Sequence, residues 1–158
     1  MKNKLVLLKS EISTDREKIE RLFEKFTISW EKYREQGEYA YLVETAFYAN
    51  QIYSGFERLF KNIANSFENN IDEKSWHKSL LDRMCITVEG IRPAFVSGSN
   101  FKYLDELRSF RHFFRHSYDL DLDKEKFAIV ASRALKLKDN YKTDIDKFLD
   151  FINRLLKE

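Results

Sequence analysis

The chain has 158 residues, of which 28 are basic and 26 acidic, so its formal net charge is only +2. This length fits a single domain, 1–158, that folds without metals or disulfides, and the near-balance of charge excludes an extensive basic surface for nucleic acid. With one cysteine, a short N-terminal apolar stretch and no run of about 20 apolar residues, the sequence predicts a cytoplasmic protein without a membrane partner.

Helical spacing of apolar residues predicts two long helices in the first half of the chain. The first covers about 3–36 and ends at Gly37, because glycine readily adopts the left-handed conformation of a helix C-terminus. The second begins at Tyr39, carries an apolar stripe as far as Phe67, and is broken by Asn69-Asn70. The whole chain holds one proline and four glycines, which also favours long helices with few turns.

The second half of the chain predicts three further helices around a single loop. Ser75 can cap a short third helix, and residues 89–100 form the loop, because they hold the proline and two of the glycines. A fourth helix covers about 101–118, and Asp121 or Asp123 caps the last helix. No strand-like alternation persists, so the sequence predicts an all-α fold, a five-helix antiparallel bundle.

The fourth helix contains the stretch RHFFRHSYD, residues 111–119, which holds two of the chain's three histidines. A projection at about 100° per residue divides this region into two halves. One half is apolar and is predicted to pack; its members include Leu107, Phe110, Phe113 and Phe114, and Tyr118 lies at its seam with the polar half, where its hydroxyl should reach solvent. The other half is polar and holds Arg108, Arg111, Arg115, His112, His116, Asp105 and Asp119. A solvated face normally mixes lysine with glutamate, so this lysine-free face is a candidate functional face.

The residue types leave four interpretations of this face open. It can be merely cationic and solvated, or His112 and His116 can share a zinc ion with Asp105 or Asp119. It can bind phosphate or RNA passively, although the phenylalanines that would stack on bases lie on the packing half. It can also cleave RNA without metal, with an imidazole accepting the proton of the ribose 2′-hydroxyl and arginine stabilising the charged transition state.

The same stretch resembles the R-x4-H-x-Y motif of HEPN-domain ribonucleases, through Arg111, His116 and Tyr118. More narrowly, it resembles the HepT toxins, which are encoded beside a minimal nucleotidyltransferase (MNT) antitoxin. The stretches YSGFERLFKNIA, residues 53–64, and SWHKSLLDRM, residues 75–84, are also similar to this family, so the resemblance covers essentially the whole chain. It implies a homodimer in which the motif helices of two subunits face each other and cleave RNA without metal or cofactor.

The resemblance also implies a role for each residue of the motif. Arg111 and His116 match the catalytic pair, and Tyr118 matches the tyrosine that the MNT partner modifies with AMP to silence the toxin. His112 stands where the family commonly has a polar residue, and Arg108 and Arg115 are candidates for binding RNA. The alternative is a catalytically inactive HEPN module that binds RNA or a nucleotidyltransferase.

The expected dimer would remove a geometric difficulty in the motif. On one helix Arg111 and His116 lie about 140° apart and about 7 Å along the axis, an awkward separation for binding one phosphate. A second subunit bearing the same face would put one copy's arginine opposite the other's histidine. Away from the motif, His77 and Cys85 are expected to be structural.

Overall fold

The computed structural model of the chain describes residues 1–68, 76–119 and 121–158, with the backbone alone for residues 76–79. The helices are α1 (Lys2–Gln36), α2 (Tyr39–Phe67), α3 (Trp76–Met84), α4 (Gly98–His116) and α5 (Lys124–Lys157). These ranges contain no β-strand, which confirms the predicted all-α fold with five helices. The break predicted at Asn69-Asn70 and the cap predicted at Ser75 lie outside the described residues. None of the described helices is both long and apolar enough to cross a membrane.

A tight turn joins α1 to α2. Gly37 ends α1 as predicted, with a φ of 69° and an N–H that donates to the carbonyl of Tyr33 at 2.7 Å. Since α2 begins two residues later, the two helices are antiparallel neighbours. Gly55 lets them approach closely, because a Cβ at that position would lie 3.0 Å from Cγ1 of Ile19.

Aromatic side chains join these two helices to α5 in the core. The ring of Phe23 on α1 stacks on Tyr141 of α5 at a centroid distance of 5.1 Å and meets the edge of Phe56 on α2 at 6.5 Å. Near the N-terminus of α5, the ring of Phe127 packs against Phe110 of α4 at 5.3 Å. Burial of such large apolar side chains is the main stabilising contribution in a helical domain. Because α4 also packs against α2, it is held between α2 and α5.

The N-terminus of α4 lies three residues before the predicted one. The Ser97 side chain caps the helix by accepting from the Asn100 N–H at 3.4 Å. Asp144 of α5 accepts from the Ser97 N–H at 2.9 Å and from the Asn100 side-chain amide at 2.7 Å. The predicted start at about 101 was too late, because the glycine and serines before it belong to the cap and first turn.

The C-terminus of α4 also differs from the prediction. The helix ends at His116, and Ser117 is extended, with its hydroxyl donating to the Phe113 carbonyl at 2.7 Å. Tyr118 therefore lies beyond the helix instead of in its last turn, and the predicted end at 118 was wrong. Asp123, one of the two predicted caps, begins α5 by accepting from the backbone N–H groups of the second and third residues after it.

Candidate functional site

Arg111 is buried between α4 and α2, and only 6% of it is exposed. Its guanidinium donates to a carboxylate oxygen of Glu57 and, at 3.4 Å, to the hydroxyl of Ser54, and it lies 4.8 Å from the ring centroid of Tyr53. The prediction that Arg111 lies on an exposed polar half of the helix was therefore wrong. A helical projection gives the angle of a residue but does not show how far the neighbouring helix α2 reaches around it.

Glu57 balances the charge of the buried arginine. Burial alone would raise the pKa of the Glu57 carboxyl, but the hydrogen bond and charge of Arg111, together with Lys61, hold that pKa below its ordinary value. Lys61 contributes with its ammonium 3.1 Å from the carboxylate. Burial, and next the charge of Glu57, raises the pKa of Tyr53, so this tyrosine stays neutral beneath the guanidinium. The arginine is thus held as one member of an ion pair that joins α2 to α4.

The two histidines lie on the exposed side of α4 and contact each other. The rings of His112 and His116 stack with centroids 4.3 Å apart and planes inclined by 26°. Nδ1 of His116 lies 2.8 Å from the carbonyl oxygen of His112. A carbonyl only accepts, so this Nδ1 carries the proton, and in the neutral ring Nε2 keeps a free lone pair. His116 is therefore an oriented side chain with an exposed proton acceptor.

The remaining arginines of α4 differ in whether a carboxylate already binds their guanidinium groups. Arg108 donates twice to Asp105, at 3.0 Å from Nε and at 2.8 Å from Nη2, and its side chain is 20% exposed. Arg115 is exposed, and within the described ranges its side chain has no ion pair or hydrogen bond. An anion approaching this side of α4 would therefore meet Arg115 and the two histidines first.

Two aromatic residues of the apolar half are exposed, Phe113 against the prediction and Tyr118 in agreement with it. Phe113 is 51% exposed, and Tyr118 is fully exposed beyond the end of the helix. Phe110 is buried and Phe114 half-buried, as predicted. An apolar half is buried only where another helix lies against it. At this end of α4 a groove separates the helix from the beginning of α5, so part of that half is left uncovered.

The structure offers the zinc interpretation little support. In the part of the chain that the structure describes, no group of three or more His, Cys, Asp or Glu side chains is placed to hold a metal ion. Asp105, one of the two suggested third ligands, is instead bound by Arg108. The side chain of His77 lies outside the described residues. Cys85 is half-buried, its thiol donates to the Leu81 carbonyl at 3.3 Å, and burial raises its pKa to about 11.

Three contacts of Arg111 were not recognised in the sequence. Tyr53, Ser54 and Glu57 occupy one face of α2 at positions i, i+1 and i+4, inside the stretch YSGFERLFKNIA. A carboxylate surrounded by apolar residues at helical spacing signals a buried partner, because an unpaired carboxylate is costly to bury. That signal was available, but it did not identify Arg111 as the partner.

A comparison with protein families places the ion pair and the histidines in one matched region. The family model described as HepT-like protein matches residues 45–152, which is more than half of the chain. The matched range contains the whole R-x4-H-x-Y stretch of residues 111–118 and the three contacts of Arg111 on α2. Neither the comparison with curated proteins nor that with solved structures gave a match.

Proposed function

The chain belongs to the family of HepT-like proteins, and from that premise we propose that it is a metal-independent endoribonuclease. It would act as the toxin of a pair whose antitoxin is a minimal nucleotidyltransferase. The observation that carries the proposal is the orientation of His116. Its Nδ1 is fixed on the carbonyl of His112, which leaves Nε2 free to accept a proton, and the residue before it in the helix is the exposed Arg115.

The chemistry follows from the structure of RNA itself. Nε2 of His116 takes the proton of a ribose 2′-hydroxyl, and the 2′-oxygen attacks the adjacent phosphorus. The bond from phosphorus to the 5′-oxygen breaks as the new bond forms, leaving a 2′,3′-cyclic phosphate. The departing 5′-oxygen takes a proton from a protonated histidine or from water. Arg115 and His112 would stabilise the negative charge on the phosphate oxygens, so the reaction requires no metal.

Arg111 has a more restricted place in this proposal. The family resemblance assigns it to the catalytic pair, but its guanidinium binds Glu57 and Ser54. Direct contact with a phosphate would require the arginine to leave that carboxylate. Without such a change, Arg111 acts by holding α4, and with it His116, against α2. In the homodimer that we propose, the exposed histidines of two facing α4 helices would line the cleft.

The ion pair between Arg111 and Glu57 also favours a second candidate function. A motif arginine neutralised by a buried carboxylate adds little to the attraction for phosphate. The protein would then be a catalytically inactive HEPN module that binds RNA or a nucleotidyltransferase partner. The two candidates differ in one measurable property, the cleavage of RNA.

The ribonuclease proposal is tested with purified protein and a mixed-sequence RNA in the presence of EDTA. We expect cleavage products that end in a 2′,3′-cyclic phosphate, because the attacking group is the neighbouring 2′-hydroxyl. The same preparation should sediment as a dimer at micromolar concentration. End-group analysis of the products and sedimentation velocity measure the two outcomes.

Three results would contradict parts of this mechanism. Cleavage that stops in EDTA and returns with zinc would restore the metal interpretation of His112 and His116. Intact RNA in both conditions would support the inactive module instead. A monomer that cleaves RNA would show that one α4 helix suffices and would exclude the composite cleft.

Silencing by AMP is proposed to act through Tyr118. Its side chain is fully exposed and lies two residues beyond His116, where an enzyme can reach the hydroxyl. An attached AMP would add bulk and a negative phosphate beside Arg115, which blocks the approach of RNA. Co-expression with a cognate minimal nucleotidyltransferase should raise the mass by one or more AMP units and abolish cleavage. Intact-mass and peptide mass spectrometry locate the label.

Two tyrosine variants separate modification from simple masking. Tyr118→Phe should fold normally, refuse the label and keep its ribonuclease activity in the presence of the nucleotidyltransferase. Tyr41→Phe, which changes a half-buried tyrosine of α2, should be labelled and silenced like the wild type. Full silencing of the Tyr118 variant would mean that the partner works by covering the surface.

A further inference from the structure

A groove of about 450 Å³ lies between the C-terminal half of α4 and the beginning of α5. Phe110 and Phe127, both buried, form its floor and pack edge to face at 5.3 Å. Phe113 of α4 and Ile129 of α5 form its rim and are 51% and 55% exposed. The groove therefore offers an apolar base and one open aromatic ring.

The groove also contains carboxylates, which differ in whether they can still accept a hydrogen bond from a ligand. Asp123 is occupied, because it accepts from the N–H groups of Glu125 and Lys126 at the start of α5. Glu106 is half-buried on α4, and within the described residues its carboxylate has no ion pair or hydrogen bond. Asp121 is exposed and also lines the groove, and Lys126 supplies a positive charge there that moderates the repulsion of the carboxylates for a phosphate.

The position of Phe113 relates the groove to the exposed histidines. Phe113 precedes His116 by three residues, which places the two side chains about 60° apart around α4 and about 4.5 Å apart along it. Long side chains of a helix lean toward its N-terminus, so the Phe113 ring leans along α4 in the direction of Glu106. A nucleotide whose phosphate lies at His116 can therefore place its base on Phe113.

The size and composition of the groove favour a nucleobase over a protein segment. Its volume lies in the range of about 300–1,000 Å³ that is typical of small-molecule sites. A stable protein interface needs roughly 800 Å² from each partner, far more than two exposed apolar side chains supply. An exposed aromatic ring next to a hydrogen-bonding group is the usual means of binding an unstacked RNA base.

We propose that this groove is a subsite for the base on the 5′ side of the cleaved phosphate and that it selects guanine. This inference rests on the proposed ribonuclease function. Phe113 stacks on the base, and the Glu106 carboxylate accepts from both N1–H and N2–H of guanine. Adenine and cytosine present one donor group next to an acceptor on that edge, and uracil presents its N3–H between two carbonyls that repel a carboxylate.

The proposal is tested by titrating the dialysed full-length protein with each of the four ribonucleoside 3′-monophosphates in calorimetry. Guanosine 3′-monophosphate should bind most tightly. Phe113→Ala should weaken its binding about tenfold or more, as expected when a stacking ring is lost. Glu106→Gln should remove the preference for guanosine, and it should not weaken the binding of uridine 3′-monophosphate, because the carboxylate repels the uracil carbonyls. Ile28→Ala, which changes an equally exposed side chain on α1, should have no effect.

The outcomes separate this inference from the ribonuclease proposal. Guanosine-selective binding without RNA cleavage would retain the subsite and contradict the proposed enzyme. Cleavage without preference for guanine at the 5′ side, mapped by sequencing of product ends, would overturn the subsite and retain the enzyme. Groove variants that leave nucleotide binding unchanged but weaken the dimer or the nucleotidyltransferase complex would identify a protein interface and also overturn the subsite.

Discussion

Replacing His116 by alanine is expected to slow RNA cleavage by about 10²–10⁴-fold, the usual contribution of a positioned proton acceptor. The thermal midpoint of unfolding should stay within about 2 °C of the wild type, because an exposed surface side chain contributes little to stability. The ring is exposed, and within the described part of the chain it hydrogen-bonds only to the His112 carbonyl. Initial rates on a fluorogenic RNA in EDTA and differential scanning calorimetry measure the two quantities.

His112→Ala is the matched control, since it removes the other exposed histidine of the same helix. This variant keeps the backbone carbonyl that orients His116 and loses only the stacked ring, so its cleavage rate should fall less. Equal losses in the two variants would show that the pair acts as one unit. Full activity in the His116 variant would place the proton acceptor elsewhere in the molecule.

Replacing Arg111 by alanine is expected to destabilise the fold by about 3 kcal/mol, the low end of the range for breaking a buried ion pair. Glu57 would lose the guanidinium that pairs with it, although Lys61 remains 3.1 Å from the carboxylate. Cleavage should fall as well, because α4 is then less firmly held on α2. Urea denaturation monitored by circular dichroism gives the free energy of unfolding. Because the variant is less stable, its activity is compared with that of the wild type at matched folded fractions.

Arg111→Lys distinguishes a direct role of the guanidinium from a positioning role. Lysine keeps the charge near Glu57 but lacks the planar fork. If Arg111 acts only by holding α4, activity in the lysine variant should recover in step with stability. Recovery of stability without recovery of cleavage would mean that the guanidinium itself contacts the phosphate and leaves Glu57 during the reaction.

The ion pair also predicts how the destabilisation caused by Arg111→Ala changes with pH. The pKa of Glu57 is lower in the folded protein than its ordinary value of 4.5. A lowered carboxyl pKa stabilises the fold above the unfolded-state pKa, and this stabilisation is lost as the pH falls through the folded-state pKa. The gap in unfolding free energy between wild type and Arg111→Ala should therefore narrow in acid. A gap that stays constant down to pH 3 would contradict the pairing.

Much of the architecture follows from local sequence patterns. Apolar residues at helical spacing identify the long helices, and Gly37 and Asp123 end and begin helices at the expected places. These features depend on the backbone within a few residues, so a sequence shows them directly. The hydrogen bond from the His116 side chain to the His112 carbonyl is also local, because it spans only one helical turn.

The environment of each α4 side chain, in contrast, depended on the tertiary structure. The same projection put Arg111 on the polar half and Phe113 on the packing half, yet the arginine is buried and the phenylalanine is half exposed. Burial is set by where neighbouring helices lie, and the sequence of one helix does not contain that information. Arg111 pairs with Glu57 of α2, which lies 54 residues earlier in the chain. The ring of Phe113 is exposed because a groove separates α4 from α5 beside it.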